Sequence, residues 1–281
     1  MTASEGDFDY ENYGSGVRIV YYYGAEPNLK IPDKLGGKPV VALKNGLFED
    51  NKTLINIKLP DTVTEIGSSA FSGCYSLKSA NIPNGVTSIP DMAFFACYNL
   101  ESITIPNSVT TIGQEAFRSC NSAKTITLGN KVQYIGWYCF AGCKSVESIT
   151  LPDSLTAIDS HAFNGCGFKN ITIPGSLKKV SDDAFYNCGS LESVTLSKGV
   201  QEIGNHVFNG CNNLKKITLP DGFTTLGTQP FYKCSNLKSI TLPDSVNNTQ
   251  KSSFDGVDSV TYKGRTYQSK DFGRLYEVIN Y

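Results

Sequence analysis

Cysteine is the residue type in this sequence with the greatest capacity for chemistry, because nine are present and eight of them recur in one pattern. Thiolates bind zinc, and paired thiols form disulfides or exchange them. The ninth, Cys139, lies four residues before Cys143, which is the wrong spacing for a redox C-x-x-C motif. The eight follow one another at steps of 23 residues, with a single step of 22: Cys74, Cys97, Cys120, Cys143, Cys166, Cys188, Cys211 and Cys234.

A regular repeating fold would place these eight side chains in a file, with neighbours about 4.8 Å apart. Zinc requires ligands that converge tetrahedrally, and parallel side chains do not converge. Disulfides have a feasible Cα separation, but parallel Cβ vectors are poorly aimed for the required torsion. Neighbouring thiolates would repel by about 3 kcal/mol at an effective dielectric of ~20. We therefore expect neutral, buried thiols that pack as small apolar groups, with no metal site and no cofactor.

Other catalytic candidates are few. The two histidines, His161 and His206, occupy the same repeat position two units apart, and we expect both to be exposed. Regular stacking would separate them by about 10 Å, which is too far to share a metal. The sequence contains no H-E-x-x-H, G-x-S-x-G or phosphate-loop pattern. We predict that the chain is not an enzyme and has no catalytic residues.

The element that must position these side chains is a 23-residue repeat, which reads A-F-x-x-C-x-x-L-x-x-I-x-I-P-x-x-V-x-x-I-x-x-x. In one copy, the alternation Ile103-Thr104-Ile105 predicts a strand with both isoleucines inward and Thr104 outward. Pro106 then ends the strand. The phenylalanine of the unit recurs at Phe48, Phe71, Phe94, Phe117, Phe140, Phe163, Phe185, Phe208, Phe231 and Phe254.

A unit of this size cannot bury its own apolar face, so neighbouring units must stack. We predict an α/β repeat fold, a leucine-rich-repeat solenoid of short parallel strands with irregular or short-helical return segments and a cap at each end. The predicted boundaries are an N-terminal cap over 1–28, about ten repeat units over 29–257, and a C-terminal cap over 258–281. We predict that the two caps and the repeat units form one continuous domain.

Both caps have predicted elements. In the first, 17–23 is predicted to be a strand. In the second, Lys263-Gly264 favours a hairpin turn, and Ser269 is expected to cap a final helix. The apolar face of that helix comprises Phe272, Leu275, Tyr276 and Ile279.

The outward strand position is the candidate binding surface. It holds Lys58 and Asn81 in the first units, and threonine thereafter. Strands stacked in register would form a nearly uncharged face of small hydroxyls. Threonine favours strands, which is a structural reason for this pattern, whereas docking of an extended protein or glycan is the functional alternative. The candidate residues are Thr104, Thr127, Thr150, Thr172, Thr195, Thr218 and Thr241.

Aromatic residues offer a second set of anchors. Trp137 and Tyr138, with Tyr75 and Tyr98, lie close to the cysteine position of their repeats. They either contact a partner or pack against adjacent units.

Net charge and hydropathy limit the partners and the cellular location that the sequence predicts. The net charge of −1 gives no electrostatic reason to expect nucleic acid or an anionic membrane as a partner. The sequence contains no stretch of 18 or more apolar residues, so no membrane-spanning helix is predicted. The first residues lack the basic and apolar regions of a signal peptide, which fits a cytosolic protein or an exported chain whose signal was removed.

The repeat motif resembles the BspA-like branch of leucine-rich repeat proteins over about residues 29–257. The resemblance implies a surface or secreted, non-enzymatic protein of host-associated bacteria or parasitic protists that adheres to host or extracellular-matrix proteins. It also implies a right-handed solenoid with a strand-lined side. We therefore expect a monomer that binds a protein partner or a glycan outside the cell. The alternative is an architectural spacer, one repeat block of a larger surface protein with no binding site of its own.

Overall fold

The structure is a computed structural model that describes residues 2–281, and it contains two compact units. The first unit ends at Ser145 and the second begins at Val146. In both, short strands of successive repeats pair in parallel, which confirms the predicted leucine-rich-repeat solenoid. The boundaries of the caps and the single continuous domain stay predictions.

The first unit begins with a cap sheet in the order β1-β2-β3-β6-β5. The strands of this sheet are β1 (Thr2–Glu5), β2 (Phe8–Tyr13), β3 (Gly16–Tyr22), β5 (Lys34–Leu35) and β6 (Lys38–Leu43). Strand β4 (Asn28–Lys30) lies between β3 and β5 in the chain but belongs to a different sheet. Strands β1, β2 and β3 are antiparallel neighbours, β3 pairs in parallel with β6, and β5 and β6 form a hairpin. Strand β3 confirms the strand predicted over 17–23, and its Val17 and Ile19 are fully buried.

The repeats of the first unit contain two kinds of short strand. The bounds are β7 (Asn56–Lys58), β8 (Ser79–Ala80), β9 (Ser88–Ile89), β10 (Ser102–Thr104), β11 (Thr111–Ile112), β12 (Thr125–Thr127) and β13 (Tyr134–Ile135). The main strands pair in parallel as β4–β7–β8 and as β10–β12. A second parallel ladder, β9–β11–β13, lies in the return segments and was not anticipated from the sequence.

The second unit repeats this arrangement and ends in the C-terminal cap. Its strands are β14 (Ser148–Ile149), β15 (Ala157–Ile158), β16 (Asn170–Ile173), β17 (Lys179–Val180), β18 (Ser193–Leu196), β19 (Glu202–Ile203), β20 (Lys216–Thr218), β21 (Thr225–Leu226), β22 (Ser239–Thr241), β23 (Ser259–Tyr262) and β24 (Arg265–Gln268). Parallel ladders run through β16–β18–β20 and β17–β19–β21. Strand β23 pairs in parallel with β22 and forms the predicted hairpin with β24.

The core of each unit contains a stack of buried phenylalanine rings. In the first unit, the rings from Phe48 to Phe140 stack with centroids 4.9–5.5 Å apart and planes within 13° of parallel. In the second unit, those from Phe163 to Phe231 stack at 5.3–6.2 Å. The inward isoleucines of the main strands are also buried, and Ile103 and Ile105 are each only 2% exposed, as predicted. Aromatic pairs in such stacks contribute beyond the area they bury.

The turns around the repeat phenylalanines from Phe48 to Phe231 are irregular because each contains two residues with left-handed backbone. In the repeat of Phe71 they are Ser69 (φ 57°) and Gly73 (φ 71°). A helix requires consecutive right-handed residues, so this alternation excludes one. The amides of Ser69, Phe71 and Gly73 instead donate to carbonyls of the next repeat, at 2.8–3.0 Å. These hydrogen bonds offset the strain of the left-handed residues.

The C-terminal cap ends in the helix α1 (Phe272–Asn280), which packs on the last repeat. Leu275 and Ile279 are buried on the predicted face, and the side chain of Asn280 forms two hydrogen bonds with Thr249, at 2.8 and 3.0 Å. The prediction that Ser269 caps this helix is wrong. A 3-10 turn (Ser269–Asp271) separates the hairpin from the helix, so the N-cap position falls on Asp271, which makes no side-chain capping bond.

Candidate functional site

The seven predicted threonines are all exposed, while their neighbours along the main strands are buried. In the first unit, Thr104 lies opposite Thr127. In the second, Thr195 lies between Thr172 and Thr218 in one parallel register. The structure thus brings these hydroxyls together in two separate ladders, one in each unit.

The other two threonines lie at interruptions of the second unit's main ladder. Thr150 follows β14, which belongs to a different sheet from β16, and the two strands border a concavity of about 330 Å³ that Thr150 and Thr172 line. The 22-residue step after Cys166 occurs in the repeat that leads into β16. Thr218 and Thr241 line a larger concavity of about 540 Å³, where β20 and β22 likewise belong to different sheets.

The start of the strand-lined face differs from the expected uncharged surface. Its outward residues are Asn28 and Lys30 on β4, and Asn56 and Lys58 on β7. The expectation of an almost uncharged face is therefore wrong for these strands. In the sequence, Lys58 and Asn81 already depart from the threonine pattern. The 23-residue period does not predict that Lys30 pairs with Lys58, because the two residues are 28 positions apart.

Charges at the entry to the main strands alternate in sign from Lys78 to Lys215, and Lys238 at the last position breaks the alternation. Glu192 and Lys215 form an ion pair at 2.8 Å, and the Lys215 ammonium lowers the pKa of the Glu192 carboxyl. At the end of the series, Lys238 lies 3.6 Å from Asp258. The residues of this repeat position are Lys78, Glu101, Lys124 and Glu147, followed by Lys169, Glu192, Lys215 and Lys238.

The cysteines are buried thiols, as the sequence predicted, and none of the nine forms a disulfide within the described residues. Burial raises the pKa of Cys74 and Cys234 to about 12, and it also raises the pKa values of Cys97, Cys120, Cys139 and Cys211 well above 9.0. Most of the file donates a hydrogen bond from Sγ to the phenylalanine carbonyl of the preceding unit at 3.1–3.5 Å. These donors are Cys74, Cys97, Cys120, Cys143, Cys188, Cys211 and Cys234.

Both histidines lie in the irregular turns, two residues before a repeat phenylalanine. His161 and His206 both have left-handed backbone, with φ of 61° and 54°. Histidine, asparagine and aspartate are enriched in that conformation. Both are half-buried, so the prediction that they are exposed is wrong, and His206 Nδ1 lies 3.9 Å from Asp183. Within residues 2–281, no group of three or more potential ligands from His, Cys, Asp and Glu could hold a metal ion.

The aromatic candidates form two partly exposed clusters in the first unit. Tyr75 and Tyr98 stack at 5.1 Å with planes 7° apart, which fits packing between adjacent repeats. Trp137 packs edge-on against Tyr138 at 4.3 Å, and the guanidinium of Arg118 lies 4.8 Å from the Tyr138 ring. Both clusters are therefore occupied by internal contacts while leaving ring area exposed.

Comparisons with known proteins agree with this repeat architecture. A family model described as the BspA type leucine rich repeat region, with six copies, matches residues 41–167 and 133–261. The crystal structure of a leucine-rich cell surface protein from Faecalibacterium prausnitzii A2-165 aligns with a TM-score of 0.65 and 25% identity, over 100% of this chain and 97% of its own. The pneumococcal vaccine antigen PcpA aligns with a TM-score of 0.61 and 21% identity, over 93% of this chain and 81% of its own, and thus shares the fold. No curated protein matches the chain in sequence.

No helix among the described residues is both long and apolar enough to cross a membrane.

Proposed function

The chain belongs to the BspA-type leucine-rich repeat family, and from this premise we propose that it is a non-enzymatic recognition or adhesion module. Its partner is a host or extracellular-matrix protein, or a glycan, and it binds as a monomer at the cell surface or outside the cell. The description of the Faecalibacterium protein as a cell surface protein supports this location.

The observation that carries the proposal is the exposed threonine ladder of the second unit. Thr172, Thr195 and Thr218 hold their hydroxyls in one register on strands whose inward side chains are buried. Because the backbone is fixed by the ladder, these groups lose little conformational freedom when a partner docks. A rigid, flat, polar face of this kind suits an extended ligand.

The alternative is an architectural spacer, which the same regularity also supports. Threonine pairs stabilise neighbouring strands by some tenths of a kcal/mol each, so the ladder needs no ligand to explain it. The aromatic anchors that dominate many interfaces are absent from the seven threonine positions themselves. Binding data must separate the two functions.

The test is saturable binding of the immobilised protein to a panel of matrix proteins and glycans. A variant carrying Thr150→Lys, Thr172→Lys and Thr195→Lys places three charges on the face. The matched control, Ser190→Lys, Gln201→Lys and Asn212→Lys, adds the same charge at exposed turn and loop positions of the same unit.

We expect binding by the wild type and by the control, and an affinity loss of about tenfold or more in the face variant, equivalent to at least ~1.4 kcal/mol. Failure of the wild type to bind any panel member would support the spacer. Equal binding by all three proteins would place the site away from the threonine face.

A further inference from the structure

Two lysines lie directly opposite each other where the strand-lined face begins. Lys30 on β4 is the register partner of Lys58 on β7, and both side chains are exposed. Neighbouring strands lie about 4.8 Å apart, and like charges in direct cross-strand pairs are destabilising. Among residues 2–281, no carboxylate lies within ion-pair distance of either ammonium. Within the described residues, neither ammonium is therefore neutralised by an ion pair.

The repeat fold does not require this pair. The position that Lys58 occupies holds threonine in later units, including Thr104 and Thr127, where the strands pair in the same way. Lysines at the strand entries, such as Lys215, have glutamates as neighbours. Lys30 and Lys58 thus depart both from the threonine pattern and from the alternation of charge.

The surrounding polar side chains form a small hydrogen-bonded array. The Ser79 hydroxyl donates to Asn56 Oδ1 at 2.6 Å, and Asn56 Nδ2 donates to Asn28 Oδ1 at 2.6 Å. This direction of donation leaves the Nδ2 group of Asn28 available to a ligand. With the two lysines, these residues line a concavity of about 420 Å³ in which every polar side chain is an amide, a hydroxyl or an ammonium.

We propose that this concavity binds an acidic saccharide, with a carboxylate or sulfate held between Lys30 and Lys58 and ring hydroxyls bonded to the Asn28–Asn56–Ser79 array. The inference rests on the proposed recognition function and names its ligand class. Amides both donate and accept hydrogen bonds, as saccharide hydroxyls do. Poly-glutamate offers carboxylates to the two lysines but no hydroxyls to the Asn28–Asn56–Ser79 array, so it distinguishes an acidic peptide from an acidic saccharide.

The experiment measures binding of the full chain to immobilised heparin, hyaluronan, dextran and poly-glutamate. Heparin carries sulfates and carboxylates, hyaluronan carries carboxylates alone, and dextran is neutral. The test variant is Lys30→Thr with Lys58→Thr, which installs the residue found at the Lys58 position of later repeats. Its matched control is Lys131→Thr with Lys144→Thr, which removes the same charge from exposed turns of the same unit.

We expect wild type and control to bind heparin or hyaluronan, but not dextran, with an affinity that falls as salt rises from about 0.05 M to about 0.5 M. The Lys30→Thr, Lys58→Thr variant should bind about tenfold or more weakly, because it loses two charge-assisted contacts. Binding to heparin alone identifies sulfate as the anion, and binding to hyaluronan shows that a carboxylate suffices.

Three outcomes would overturn the inference: no binding to either acidic polysaccharide, equal loss in the test variant and the control, or binding to poly-glutamate alone. Matrix-protein binding that survives Lys30→Thr and Lys58→Thr, without saccharide binding, would overturn this inference and leave the proposed function intact. Absence of binding to matrix proteins together with lysine-dependent heparin binding would restrict the module to glycans.

Discussion

The free energy of unfolding should fall steeply as the pH is raised from about 8 to about 10, because buried thiols stay protonated in the folded chain and ionise in the unfolded one. Burial raises the pKa of Cys74 from 9.0 to about 12, and the pKa values of five further cysteines are raised by the same cause. A group whose pKa is higher in the folded state stabilises that state fully below the unfolded-state pKa. The contribution is lost as the pH rises past 9.0 toward about 12.

The magnitude follows from proton linkage. Each such thiol lowers the free energy of unfolding by about 1.4 kcal/mol per pH unit once the pH exceeds the unfolded-state value. For the six thiols with raised pKa, the loss between about pH 8 and about pH 10 is about 8 kcal/mol. Typical domains have total stabilities of about 5–15 kcal/mol, so the loss would leave this chain close to unfolding.

Urea denaturation under reducing conditions at several pH values measures this slope. The comparison variant is Cys97→Val with Cys120→Val. Valine fits the position, because Val257 occupies it in the last repeat and is buried. Two fewer ionising thiols should make the loss of stability about 3 kcal/mol smaller over the same pH range. A wild-type slope near zero, or identical slopes for the two proteins, would refute the assignment of buried neutral thiols.

Two further predictions concern packing. Phe117→Ala should destabilise the chain by about 3–5 kcal/mol, because its buried ring stacks on both neighbours, and urea denaturation checks this; a cost below about 1 kcal/mol would contradict a rigid stack. Gly175→Ala should cost about 2 kcal/mol or more, because its Cβ would lie 1.9 Å from the Lys198 carbonyl oxygen. Gly189→Ala, whose Cβ meets no atom within 4 Å, is the matched control, and equal melting temperatures for the two variants would contradict the clash.

The strands could be predicted because their signal is local and repeated. Alternation in Ile103-Thr104-Ile105 assigns an inward and an outward face, and stacking needs only a constant period. The left-handed turns were missed although they left a trace. Glycine recurs two residues after the phenylalanine in several repeats, as at Gly73 and Gly210, and glycine readily adopts positive φ. The other left-handed position could not be recognised, because it holds residues such as Ser69, Met92 and Glu115, whose types rarely adopt positive φ.

Non-periodic contacts could not be predicted in the same way. Lys30 pairs with Lys58 across 28 residues because the hairpin of β5 and β6 is inserted between their strands. The 3-10 turn that displaces the expected helix cap at Ser269 depends on how the hairpin docks, which no local pattern encodes. The periodic part of the candidate site, the threonines, was therefore predictable, and the pairing of Lys30 with Lys58 was not.

The regularity of the threonine positions affects where a partner can bind. Strands with identical outward residues offer an extended ligand nearly the same binding energy at each register, so the threonine positions alone cannot fix where a partner binds. A unique register requires a strand whose outward residues differ from those of its neighbours in charge or shape. Lys30 and Lys58 lie on such strands where the strand-lined face of the first unit begins, and they line a concavity of about 420 Å³. Specificity in a repeat protein of this regularity should therefore reside where the repeat meets its cap.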